Sequence, residues 1–160
     1  MKKKINSLLF TPVIFMLAGC AMQEAKSSCP ELEGSYEIEN SAEFYIQKQS
    51  NGEYTAMIVT DGDPTEFMPI FIPTKKQLVD ENLPECSVIL QGAGVLMPSD
   101  KNKTYHVTAQ SQNYLTERKL DTPLVLMVAA GFQSDVYGVV KTSDVLSKEI
   151  TSIFSKGNAK

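Results

Sequence analysis

The chain has 160 residues, a formal net charge of −4 and a hydrophobic content of 42%. This length suits a single domain, and apolar residues of this abundance exclude a disordered chain. The acidic balance argues against a nucleic-acid partner, because phosphate backbones attract clustered Lys and Arg.

Residues 1–19 have the layout of a signal peptide. Three lysines, Lys2 to Lys4, precede an apolar stretch from Leu8 to Gly19 that contains a proline. A membrane-spanning helix needs roughly 20 predominantly apolar residues, so this stretch is too short for a permanent span. We therefore expect residues 1–19 to be removed from the mature protein.

The leader ends in Leu17, Ala18, Gly19 and Cys20. This ending resembles the lipobox of bacterial lipoproteins at all four positions. The resemblance implies cleavage before Cys20, a diacylglycerol on its sulfur and a fatty acyl chain, such as palmitate, on its amino group. Two or more acyl chains anchor a protein stably in a bilayer. Ala21, rather than Asp, resembles lipoproteins released to the outer membrane, so we expect a Gram-negative outer-membrane lipoprotein whose domain faces the periplasm.

Residues 20–28 are expected to form the lipidated cysteine and a short polar tether. The eight residues 21–28 reach about 28 Å when fully extended. Without the leader the charge is 12 − 19 = −7, so anionic lipids should not attract the domain. We therefore expect the protein to be held at the membrane, its predicted partner, through the lipid anchor.

The chain contains three cysteines, and lipidation of Cys20 leaves Cys29 and Cys86. Because the periplasm is oxidising, we predict a disulfide between these two residues. It would close a loop of roughly 58 residues and stabilise the fold by about 4 kcal/mol in the chain-entropy model. Two free buried thiols are the alternative.

Frequent glycines and prolines after Cys29 separate short apolar or alternating segments, which favours strands over helices. Residues 35–39 alternate and place Tyr36 and Ile38 on one face. Residues 43–49 and 53–60 are predicted to form a hairpin, because Asn51 and Gly52 between them tolerate positive φ angles.

The middle of the chain continues this pattern. Residues 66–73 are predicted to form a strand in which Pro69 indicates an edge or a bulge, because it lacks a ladder donor. Residues 74–82 favour a short helical turn, and residues 86–91 and 104–110 are predicted strands.

The last third contains the most apolar segment, residues 123–132. It predicts a central strand buried on both faces, with a short buried helix as the alternative. Residues 135–142 are a further predicted strand. A C-terminal helix is predicted after Ser143 as candidate N-cap, with Gly157 at its end. Its apolar stripe contains Val145, Leu146, Ile150, Ile153 and Phe154.

The predicted fold is therefore mainly β (α+β): residues 29–160 form a single domain, an antiparallel curled sheet or small β-barrel with one C-terminal helix. The "LEGSY" segment, residues 32–36, resembles the Gly-x-Trp start of lipocalin-type barrels, with Tyr36 in the place of tryptophan. This resemblance implies a barrel that binds an apolar ligand.

The sequence contains no known catalytic motif, and we predict no enzyme, cofactor or metal site. His106 is the only histidine and is assigned to a solvated polar face. Asp61, Asp63 and Glu66 are assigned to a turn rather than to a calcium loop, because Glu66 stands where an EF-hand needs glycine. The expected function is a non-enzymatic binding or envelope-assembly module at the inner face of the outer membrane, with an envelope protein as candidate partner. The alternative is a small lipocalin-like barrel for an apolar ligand.

Overall fold

The computed structural model describes residues 29–39, 42–60, 63–108, 115–130 and 133–157, and in them ten strands and two helices. In chain order these are β1 (Gly34–Ile38), β2 (Ala42–Lys48), β3 (Tyr54–Thr60), β4 (Asp63–Phe71), α1 (Lys75–Asp80), β5 (Val88–Leu90), β6 (Gly94–Pro98), β7 (Thr104–Thr108), β8 (Leu115–Lys119), β9 (Leu124–Ala130), β10 (Gln133–Ser143) and α2 (Lys148–Gly157).

Eight of the strands close into an antiparallel barrel in the order β1-β2-β3-β4-β5-β6-β9-β10. Each of these strands pairs with the next, and β10 returns to pair with β1. Closure leaves no unpaired edge strand in this sheet. The prediction of a mainly β domain with a C-terminal helix is confirmed, and of the two predicted architectures the structure has the barrel.

The barrel interior is filled by alternate residues of the strands. Tyr36 and Ile38 of β1 pair with Phe44 and Ala42 of β2 on this inner face. The predicted alternation of residues 35–39 is thus confirmed. The buried inner residues are Tyr36, Ile38, Phe44, Ile46, Ala56, Met68, Ile70, Val88, Leu90, Leu96, Leu126 and Val139.

Strand β9 is buried on both faces, as its continuous apolar sequence predicts. Leu126 faces the barrel interior, whereas the fully buried Val125 belongs to a second core with Met97, Tyr105 and Val136. This second core lies between the outer barrel wall and the β7–β8 hairpin, which forms a separate two-stranded sheet. The hairpin therefore covers the outer face of β9, which explains why this strand is apolar on both faces.

Arg118 of β8 fastens the hairpin to the barrel. Its Nη2 donates to Glu39 Oε2 at 2.8 Å, and its Nη1 donates to the Val136 carbonyl oxygen. The same Glu39 oxygen accepts from the backbone N–H of Gly138 at 3.0 Å. One carboxylate oxygen thus links the hairpin to β10 of the barrel.

Helix α2 packs on the outer wall, where the ring of Phe154 lies edge-on to Phe67 of β4 at 5.7 Å. The helix begins at Lys148, so the prediction of Ser143 as its N-cap is wrong. Ser143 ends β10, and Ser147 Oγ instead accepts from the N–H of Ile150 at 3.2 Å. Val145 consequently precedes the helix and is exposed.

Three further strands differ from the predictions. Strand β4, with Pro69, is neither an edge nor bulged there, because it pairs on both sides and its register shifts opposite Ile58 and Val59. Strands β6 and β8 were not predicted. Gly94, the first residue of β6, lies where β9 approaches closely: a Cβ there would be 1.9 Å from the Met127 carbonyl oxygen.

The predicted signal peptide, Cys20 and the tether lie outside the described residues. Within the described ranges, neither helix is long and apolar enough to cross a membrane.

Candidate functional site

One end of the barrel is bridged by a disulfide, and we call it the disulfide end. Strands β1, β3, β5 and β9 begin at this end, and β2, β4, β6 and β10 finish there. Cys29 precedes β1 and Cys86 precedes β5, and their Cα atoms are 5.3 Å apart. Because β1 and β5 stand four places apart in the eight-membered ring, they lie on opposite sides of the barrel. The disulfide therefore joins segments that reach across the barrel mouth, and the predicted Cys29–Cys86 pairing is present.

Helix α1 lies beside this mouth and is fixed at both ends. A capping box joins Thr74 to Gln77 at its start, as its Thr-x-x-Gln sequence allows. At its end Asn82 has a positive φ of 52°, and the N–H of Leu83 donates to the Leu78 oxygen at 2.8 Å. This is the pattern of a Schellman motif. The caps hold this helix of six residues in place, and Leu78 is its one buried side chain.

A cavity of about 710 Å³ lies at the disulfide end. Its walls come from the inner faces of the barrel strands, and its cover comes from α1 and from the two segments that the disulfide joins. The apolar side chains that line it include Leu32, Leu78, Val88, Leu96 and Leu124. Ligand cavities in proteins have about 300–1,000 Å³ and a mainly apolar lining with a few polar groups. This cavity has both properties.

Tyr36 forms part of the inner wall of the cavity and is buried. Its ring stacks on Phe44, with centroids 4.5 Å apart, and its hydroxyl donates to the Leu32 carbonyl oxygen. Lys141 Nζ lies 5.7 Å from the centre of the same ring. Burial raises the pKa of the Tyr36 hydroxyl, which stays protonated and ties the chain before β1 to the barrel.

Four charged residues of both signs line the cavity: Glu31, Lys75, Glu85 and Lys141. Lys141 Nζ donates to the Glu31 carbonyl oxygen at 2.8 Å and pairs with Asp144 at 2.6 Å. Two acids and two bases leave the lining without a net charge, so it favours no ionic ligand of one sign.

Tyr54 and Glu31 meet at the rim, where the Tyr54 hydroxyl donates to Glu31 Oε1 at 2.5 Å. This hydrogen bond lowers the pKa of Glu31. The pKa of Tyr54 is raised, first by its partial burial and then by the same hydrogen bond. At neutral pH the pair is therefore a carboxylate held by a neutral phenol.

A second cavity, of about 220 Å³, lies between α2 and the outer faces of β1 and β2. Tyr45 lines it, and its hydroxyl donates to Glu43. The pKa of Tyr45 is raised to about 12, first by its partial burial and second by this hydrogen bond. Its small size makes it a weaker candidate than the cavity at the disulfide end.

The structure brings together Cys29 and Cys86 among the residues singled out from sequence. Cys20 and Asp61 lie outside the described residues. His106 falls in β7, as predicted, and Asp63 and Glu66 fall in β4 rather than in a turn. In the described ranges no three His, Cys, Asp or Glu side chains form a group that could hold a metal ion.

The sequence analysis missed the residues that line the large cavity, because they come from segments distant in sequence. The exceptions are the two predicted disulfide cysteines, Cys29 and Cys86, and Leu32 and Tyr36 of "LEGSY", all of which line it. Comparisons with protein-family models, with curated proteins and with solved structures find no match.

Proposed function

We propose that this protein is a lipid-anchored lipoprotein of the bacterial outer membrane whose barrel binds a small apolar molecule in the cavity at the disulfide end. The cavity carries this proposal. A protein that acts through its outer surface alone does not need a cavity of about 710 Å³ at the mouth of its barrel. Eight-stranded barrels have room for one small ligand.

The size and lining of the cavity define the class of ligand. At roughly 30 Å³ for each non-hydrogen atom, the volume accommodates about 24 such atoms, which is enough for one long acyl chain. The apolar walls bind the chain, and the balanced charges at the rim suit a neutral or zwitterionic polar end. A single-chain amphiphile has both features.

The binding proposal is tested by filling the cavity. Leu124 is half-buried and lines the cavity at the start of β9, so Leu124→Trp adds bulk inside it. Val140 is 40% exposed on the outer face of β10, so Val140→Trp is the matched control. Native mass spectrometry of the purified proteins should show a bound mass in the parent and in Val140→Trp.

We expect Leu124→Trp to lose this bound mass while its thermal unfolding stays cooperative. Leu32→Trp, which fills the cavity from the segment before β1, should give the same result. Retention of the ligand by both cavity variants, or no bound mass in the parent protein after addition of lysophospholipid, would refute the proposal.

The anchor is tested separately. The "LAGC" ending at Cys20 supports lipidation, and a single residue carries it. We expect labelled palmitate to appear on the parent protein and to be absent from Cys20→Ser. If no label appeared on the parent protein, the lipid anchor would be refuted, whereas the proposal that the cavity binds a ligand would stand.

A further inference from the structure

We propose that the disulfide end of the barrel docks on the membrane surface, so that the cavity opens towards the bilayer. Among the described residues, five large apolar side chains are exposed. Four of them, Phe71, Ile72, Val79 and Val145, lie at the disulfide end. The exposed fractions of Val79 and Val145 are 78% and 75%. Apolar side chains concentrated around one mouth are typical of a surface with a partner.

These four residues stand on opposite sides of the mouth. Phe71 ends β4 and Ile72 follows it, whereas Val145 follows β10 by two residues. Because β4 and β10 are four places apart in the ring of eight strands, they face each other across the barrel. An extended flat partner contacts both sides at once when the barrel stands on its end. A bilayer is such a partner.

The anchor position selects the bilayer, and this step rests on the lipid anchor of the proposed function. The described chain begins at Cys29, which lies at the disulfide end, and the proposed tether upstream spans at most about 28 Å. The nine residues of β4 extend roughly 26 Å along the barrel wall. The tether would need nearly its whole length to pass the barrel if the opposite end faced the membrane. The short connection therefore favours the disulfide end.

Charge does not drive this contact. The segment 72–86, which contains α1, carries Lys75 and Lys76 against Asp80, Glu81 and Glu85. This balance, with two positive and three negative groups, offers no attraction to anionic lipids. Docking through apolar side chains is consequently expected to be independent of anionic lipid and of salt.

The absence of tryptophan from the chain makes a depth measurement direct. Val79→Trp and Val145→Trp each place one reporter at the disulfide end. Gln91→Trp is the matched control, because Gln91 is exposed in the turn between β5 and β6 at the opposite end. The lipidated variants are reconstituted into phosphatidylcholine vesicles that contain lipids brominated near the headgroup.

Interfacial side chains enter a bilayer by about 5–10 Å, so both reporters at the disulfide end should lose about half of their fluorescence or more. The fluorescence of Gln91→Trp should not change. Replacing part of the phosphatidylcholine by phosphatidylglycerol should leave all three signals unchanged. Equal quenching at Val79 and Gln91, or quenching at only one of Val79 and Val145, would overturn end-on docking.

Two other readouts separate this inference from the proposed function. Flotation of the protein with the vesicles reports the anchor, and native mass spectrometry reports the ligand. A protein that floats and binds ligand without quenching at Val79 refutes docking alone. Quenching without a bound ligand refutes the proposed ligand and keeps the docking. Failure to float in the parent protein overturns both the anchor and the docking that rests on it.

Discussion

The Cys29–Cys86 disulfide gives the sharpest quantitative prediction, because its contribution follows from its place in the chain. The two cysteines are 57 residues apart. Closing a loop of that length restricts the unfolded chain by about 4 kcal/mol in the chain-entropy model. Domains of this size have a free energy of unfolding of about 5–15 kcal/mol. The double variant Cys29→Ser, Cys86→Ser should therefore remain folded but lose a large part of its stability.

The folded barrel itself should change little in this variant. Strands β1 and β5 are each held by hydrogen bonds to neighbours on both sides, so the ring closes without the disulfide. The main effect is a less restricted unfolded state. A more open unfolded chain also exposes more surface, so the dependence of the unfolding free energy on urea should become slightly steeper.

Urea denaturation followed by far-ultraviolet circular dichroism measures both quantities. Parent protein with reductant is the control and should match the double variant, whereas reductant should not affect the variant. If the variant lost less than about 1 kcal/mol, the disulfide would not restrict the unfolded chain as argued. Loss of the native spectrum in the absence of urea would show instead that the barrel needs the disulfide to close.

Three further predictions concern the core, the hairpin and the tyrosines. Phe44→Ala should lower the free energy of unfolding by about 3–5 kcal/mol, because Phe44 is fully buried in the barrel. Phe71→Ala, at an exposed position, should lower it by less than about 1 kcal/mol. Equal losses for the two variants in urea denaturation would contradict the assignment of Phe44 to the core. Arg118→Lys keeps the charge but loses the forked contact to Glu39 and Val136. Because the Arg118–Glu39 pair is partly exposed, the free energy of unfolding should fall by about 1 kcal/mol. An unchanged melting temperature would contradict this prediction. The free energy of unfolding should keep its full value below pH 10 and should fall as the pH rises towards about 12. The reason is that tyrosines of the unfolded chain ionise near pH 10, whereas burial raises the pKa of Tyr45 to about 12 in the folded protein. Coincident tyrosinate titrations of native and urea-unfolded protein would refute this prediction.

Much of the fold was predictable because local patterns and tertiary structure agree. Tyr36 and Ile38 alternate in sequence and both face the barrel interior. The apolar run of β9 predicted burial on both faces, although the sequence did not indicate that the β7–β8 hairpin covers one of them. The helical turn after residue 73 was predicted, and its Thr74 and Gln77 form the capping box that defines it.

The errors have physical causes of their own. Ser143 is a suitable N-cap residue, but pairing of β10 with β1 extends the strand through it and moves the helix start to Lys148. Pro69 is tolerated in a closed barrel because it lies just beyond the two residue pairs of the β4–β5 ladder, where its carbonyl oxygen accepts from the N–H of Gln91 at 3.0 Å. In both cases pairing with a strand distant in sequence decides the outcome.

The cavity could not be predicted from sequence for a related reason. Its walls are ordinary inward-facing strand residues, which are indistinguishable in sequence from those that fill the rest of the barrel. Leu124 and Val88 line a cavity because of the cover above them, which is made by α1 and by the segments that meet at Cys29 and Cys86.

The position of the cavity follows from how a closed barrel uses its chain. Pairing of every barrel strand satisfies the backbone along the wall, but it leaves each end to be covered by segments that are not strands. At the disulfide end these segments are a capped helix and two stretches joined across opposite strands, and they span the mouth rather than fill it. Tyr36, stacked on Phe44, forms part of the inner wall beneath them. The same disulfide that restricts the unfolded chain therefore also joins the two segments that cover the space in which we propose that the ligand binds.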